Sequence, residues 1–279
     1  MLKKWYAKLL VLLAVVCAVA AAHPAAQAEA IPEETAQTQA EADTAVQGAE
    51  MVASGTCGDN LTWSLDSAGT LTISGSGAMA YFFSTSDRPW KDYSESIRTI
   101  AVGAGVTSIS AYSFYRCQNL TAITLPDSLT NIGASAFMYC KSLTGVILPD
   151  SLTSIGDSAF CGCTGLTSLT FPAGLTSIGD GTFSLCTGLT SLTLPDDLES
   201  VGNSTFSSCT GLTSLTLPDG LKSIGNSTFS GCTGLTSLML PNSLSSIGKQ
   251  TFRRCTGLTS LTLPNWLTSI GDGAFGDCT

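Results

Sequence analysis

From Val106 to the C-terminus, apolar side chains return at one fixed phase. The unit over 152–174 reads LTSIGDSAFCGCTGLTSLTFPAG, and similar units begin at Val106, Leu129, Leu152, Leu175, Leu198, Leu221, Leu244 and Leu267. Cysteines at 117, 140, 163, 186, 209, 232, 255 and 278 mark the same period, 23 residues at every interval. Within a unit, Leu166, Leu169 and Phe171 predict a short strand that turns these side chains inward and stacks in parallel on the next coil. Pro172 ends that strand, because it has no N–H to give to a ladder. Leu175 and Ile178 open the return side, and Gly179 permits a bend. Phe183 and Cys186, three apart, predict one face of a short helical turn that closes the coil.

No single coil can bury these groups alone, so the units must stack into one continuous core. A fixed period in this range with leucines in that spacing marks a leucine-rich repeat solenoid: 23-residue coils with parallel β-strands and short helical turns, over residues 96–279. The last unit stops at Cys278 and Thr279 without its strand, so an incomplete final coil, and a chain continuing beyond it, are expected. The aligned cysteines would form a column with neighbours about 4.8 Å apart. Side-by-side parallel Cβ vectors suit a disulfide badly, and zinc needs four convergent ligands. Buried free thiols, serving as small apolar groups, are expected instead. Cys161 lies off the column, where later units have Ser184, Ser207 and Ser230, and is expected to be exposed.

Residues 54–95 read differently. Leu61, Trp63 and Leu65, then Leu71 and Ile73, alternate around a turn at Asp66–Gly69, which predicts a β-hairpin. Ile97, Ile100 and Val102 precede Leu120, Ile123 and Leu125 by one period and supply a first half-coil, so 54–95 is expected to be a β-rich cap module. At the N-terminus, Lys3, Lys4 and Lys8 precede a 14-residue apolar run, Leu9–Ala22, and Ala26-Gln27-Ala28 fits a small-x-small cleavage site. Residues 1–28 therefore read as a signal peptide, leaving no transmembrane segment after cleavage. Residues 29–53 carry six acids and no base, an acidic disordered linker.

The repeat unit resembles the Treponema-type leucine-rich repeat of BspA-like bacterial surface proteins, and residues 54–77 are similar to the module that often precedes it. The resemblance implies a secreted or surface-attached protein that binds host or neighbouring-cell proteins and has no catalytic activity.

Charge and composition narrow the chemistry. The chain has 12 basic and 21 acidic residues and one histidine, His23, inside the leader. An exported chain without histidine excludes histidine triads and His–metal sites. An acidic chain also makes nucleic acid an unsuitable partner. No cofactor motif is present. The strand face offers Ser168, Thr170, Ser191, Thr193, Ser214, Thr216, Ser260 and Thr262, with Ile147 and Met239 as apolar breaks in the threonine column. These residues predict a concave, hydroxyl-rich platform for an extracellular protein or glycan, with a host-derived ligand among the options. The same ladder also suits a soluble sheet with no partner. Lys249, Arg253, Arg254 and Trp266 are the densest departure from the repeat and read either as a contact patch or as pairs of Lys249 with Asp272 and Arg254 with Asp277, one coil on. The stacked pairs Asp127/Asp150 and Asp196/Asp219 follow prolines at turns, where Asp is common. The function expected is adhesion or protein binding. A targeting arm for a longer surface protein or enzyme and a purely structural envelope component are the alternatives.

Overall fold

The computed structural model describes residues 49–278. The leader and the acidic stretch up to residue 48 lie outside the described residues. Three antiparallel strands open the structure: β1 (Met51–Gly58), β2 (Leu61–Asp66) and β3 (Thr70–Ala78). The hairpin at Asp66–Gly69 is closed by Gly69 N–H donating to Asp66 O at 3.0 Å and Thr70 N–H donating to the Asp66 carboxylate at 2.8 Å. The boundary read at residue 53 shifts: β1 starts at Met51, and Met51 and Ala53 pair with Asp66 and Leu65. An edge strand needs backbone partners more than apolar burial, so composition alone did not mark it.

β3 starts the solenoid in two places. Its first half pairs in parallel with β4 (Thr99–Val102), and its second half with β5 (Gly105–Ile109). Gly75, at φ 109°, lies between the two halves, and a Cβ there would sit 2.0 Å from Asn60 O. Two strand columns grow from these starts. The first continues β4 through Ala122–Thr124, Gly145–Ile147, Ser168–Thr170, Ser191–Thr193, Ser214–Thr216, Ser237–Met239 and Ser260–Thr262. Its ladders join neighbouring coils two by two. The second column continues β5 through two-residue strands, from Asn131–Ile132 to Ser269–Ile270, and includes one five-stranded run. This second column lies outside the strands expected from the repeat. Its signal is the β-branched Ile or Val at one phase of each unit.

The return side holds no α-helix. The short helical turns of the sequence reading are realised as chained turns in which alternate N–H groups face opposite ways. Ser184 and Cys186 donate within the coil to Gly181 O and Phe183 O, whereas Phe183 and Leu185 donate to Thr205 O and Ser207 O of the next coil. Half the donors thus form a third inter-coil ladder. Its geometry needs two left-handed residues per coil, such as Gly181 at φ 61° and Leu185 at φ 62°.

Inside, Phe114, Phe137, Phe160, Phe183, Phe206, Phe229, Phe252 and Phe275 form one stack with ring centroids 5.1–5.6 Å apart. Each fully buried Phe, Leu or Ile stabilises by about 1.5–3 kcal/mol. Buried Thr182, Thr205, Thr228 and Thr251 each satisfy their hydroxyl on glycine carbonyls of two successive coils. The cap finishes the stack with side chains. Trp90 lies on Phe114 at 5.5 Å, and its indole N–H donates to Ser113 O at 2.6 Å. Buried Arg88 donates to Tyr115 O. One coil further on, the matching carbonyls of Ala136 and Met138 accept the backbone N–H groups of Phe114 and Arg116. Arg88 and Trp90 therefore stand in for the backbone donors that a preceding coil would supply.

Candidate functional site

The first strand column turns its central residue inward and its two flanking residues to solvent. Ser191, Thr193, Ser214 and Thr216 are exposed around buried Leu192 and Leu215. Two open hollows lie on this face. One, of about 760 Å³, is lined by Ser168, Thr170, Ser191 and Thr193, with Asp150 and Asp196 among its other residues. The other, of about 680 Å³, is lined by Ser214, Thr216, Met239, Ser260 and Thr262, with Asp219 among its other residues. The face residues singled out from the sequence thus fall into two neighbouring sets. Ile147 and Met239 stand out of the hydroxyl surface at 77% and 79% exposure. A fully solvated thioether or sec-butyl group gains by burial against a partner, and the hydroxyls around it supply hydrogen-bond donors and acceptors.

The basic cluster separates. Lys249 pairs with Asp272 at 3.3 Å, and Arg253 and Arg254 both pair with Asp277, at 3.1 and 3.6 Å. Lys222 pairs with Glu199 in the same way, at 2.8 Å. Trp266 is 76% exposed but precedes the second strand column, whereas Lys249, Arg253 and Arg254 follow it.

The ten described cysteines are free. From Cys140 to Cys278 each thiol of the column donates to the Phe carbonyl of the preceding coil, as Cys163 does to Phe137 O at 3.2 Å. Burial pushes the column thiols from Cys117 to Cys255 up, to about 12 for Cys117, Cys163, Cys209 and Cys255. They are therefore held protonated and are poor nucleophiles and metal ligands. Cys161, expected at the surface, is only 7% exposed. Its position is partly inward in every coil, since Met138 and Ser184 at the same phase are half-buried. Among the described residues no group of three or more His, Cys, Asp or Glu is placed to hold a metal ion.

One cluster lies outside the candidate residues named from the sequence. Tyr112, Tyr115, Arg116 and Tyr139 meet on the turn side of the first two coils. Its signal was departure from the repeat: later coils have Ser, Gly, Cys, Leu or polar residues there.

A family model described as "BspA type Leucine rich repeat region" matches residues 92–191 and 176–279, with six copies. The chain belongs to the BspA-type leucine-rich repeat family. Among solved structures, this BspA-type chain is similar to a leucine-rich repeat protein of T. pallidum, at 25% identity and a TM-score of 0.54, over 80% of this chain and 88% of that one. A leucine-rich repeat protein from Bacteroides ovatus matches at 20% identity and a TM-score of 0.33, over 79% and 91% of the two chains. A leucine rich cell surface protein from Faecalibacterium prausnitzii matches at 18% and 0.31, over 82% and 93%. No curated protein matches the chain significantly.

Proposed function

We propose that this BspA-type protein is exported, acts at the cell surface or outside the cell, and binds another protein through the first strand column without catalysing a reaction. The observation that carries the reading is the exposed Ser-x-Thr face with its two hollows and the protruding Met239. A broad set of exposed hydroxyls with one or two apolar anchors suits a protein surface better than a deep small-molecule site. Export rests on the basic n-region, the apolar run and the small-x-small site before residue 29. Membership of the BspA-type family is consistent with that location.

The test is an array of extracellular host and bacterial proteins and glycans, probed with the exported chain and with a Thr193→Lys, Thr216→Lys variant. Ligands of this face lose at least tenfold in affinity in the variant, as expected for like-for-unlike contacts at the centre of an interface. A ligand that binds both forms equally places recognition elsewhere.

A further inference from the structure

We propose that the turn side of the first two coils is a second docking surface, which takes an acidic polypeptide segment of a partner protein. Three tyrosine rings run across these coils, Tyr112 to Tyr115 at 6.5 Å and Tyr115 to Tyr139 at 6.0 Å. The Arg116 guanidinium lies over two of them, 5.4 Å from the Tyr115 centroid and 5.7 Å from that of Tyr139. Arg116 is exposed and has no carboxylate partner among the described residues, whereas Arg253 and Arg254, on the same side of a later coil, are both taken by Asp277. Lys141 is exposed and equally unpaired there. Residues 110–118 and 133–141 contain no acid, as is also true of 202–210, 225–233 and 248–256, whereas 156–164, 179–187 and 271–279 carry Asp157, Asp180, Asp272 and Asp277. On an acidic protein this is a local positive, aromatic surface.

The backbone makes these side chains costly to keep. Tyr112, Arg116 and Tyr139 have φ of 59°, 58° and 63°, at positions where other coils place Gly162, Gly181, Gly231 and Gly273 or, more often, smaller or polar residues such as Ser135, Ser208 and Gln250 in the same conformation. A bulky residue is disfavoured in that region by contact of its Cβ with the following carbonyl. None of the three is fully buried, so the core does not require them.

The chemistry selects the partner. Cation–π contact places the guanidinium beside the two rings, and its N–H groups can pair with a carboxylate in bidentate fashion. Tyr, Arg and the neighbouring Met138 are the residue types enriched at protein interfaces. A sugar would stack on open ring faces, but Arg116 covers Tyr115 and Tyr139, and the rings meet at 73–75° without forming a common plane.

The experiment titrates fluorescein-labelled octa-glutamate with the full exported chain at low salt, following anisotropy. Saturable binding is expected, weakening as salt rises. Arg116→Ser lowers the affinity about tenfold, and Tyr139→Gly lowers it severalfold. Both variants copy residues found at this phase, Ser208 and Gly231, so the coil accommodates them. Arg254→Ser, at the same phase but drawn to Asp277, leaves binding unchanged. The proposal is overturned by absence of saturable binding, by equal binding to the Arg116→Ser chain, or by a sialylated oligosaccharide that binds here where the peptide does not.

Discussion

The cap and the coils meet the same demand with different atoms. Every coil exposes carbonyls on its turn side that need donors from the coil before it. In the array those donors are backbone N–H groups, repeated from Phe114 and Arg116 to Phe252 and Arg254. At the first coil no such backbone exists, and Trp90 Nε1 and Arg88 Nη1 replace it. The array is redundant, since each ladder is backed by its neighbours and tolerates Ser, Gly, Leu or Arg at one site. The cap is particular, since two side chains terminate a stack of eight phenylalanines. Cooperative loss at that end exposes the first coil, and nearest-neighbour coupling carries the loss inward.

The largest expected effect tests the array. Its thiols titrate near pH 9 when unfolded but are held protonated to about 12 in the fold. Burial raises the folded value, so the stabilisation is complete below pH 9 and is lost between 9 and 12. Each such thiol removes about 1.4 kcal/mol per pH unit in that window. Urea midpoints should stay flat to pH 9 and then fall steeply. Replacing Cys209 and Cys255 by Ala should flatten the fall.

The cap comes next. Trp90→Ala removes the terminal ring and leaves Ser113 O without its donor. It should cost about 4–5 kcal/mol by urea denaturation. Trp90→Phe keeps the stacking and should cost about 1–2 kcal/mol, the share of the hydrogen bond. If Trp90→Ala costs no more than an average surface change, the cap does not terminate the stack.

A smaller effect of opposite sign is expected inside the array. Leu185 is 41% exposed at φ 62°, where the preceding coil has Gly162. Leu185→Gly should raise stability by about 0.5–1 kcal/mol, the relief of the left-handed strain set against the added freedom of the unfolded chain. The smallest effect concerns the exposed ion pairs. Lys222→Met should change stability by less than about 0.5 kcal/mol despite its 2.8 Å contact with Glu199. A larger loss would show that cross-coil charges contribute to coil order.

The period, the stacking axis, the inward Leu, Ile, Phe and Cys columns and the proline breaks were legible in the sequence, because every coil repeats one local solution and the phase of each side chain follows from spacing alone. The Ser-x-Thr face was legible for the same reason: alternation on a strand fixes which side chains turn outward. What only the tertiary structure decided lies where partners come from another coil or from outside the repeat. Spacing could not show that the return side is a ladder of alternating donors instead of a helical turn, since the acceptors sit one coil away. Spacing offered the pairs of Lys249 with Asp272 and Arg254 with Asp277, but only the structure decided for them and added Arg253 to Asp277. The roles of Arg88 and Trp90, and the meeting of Arg116 with Tyr115 and Tyr139, depend on three-dimensional neighbours that no periodic pattern encodes.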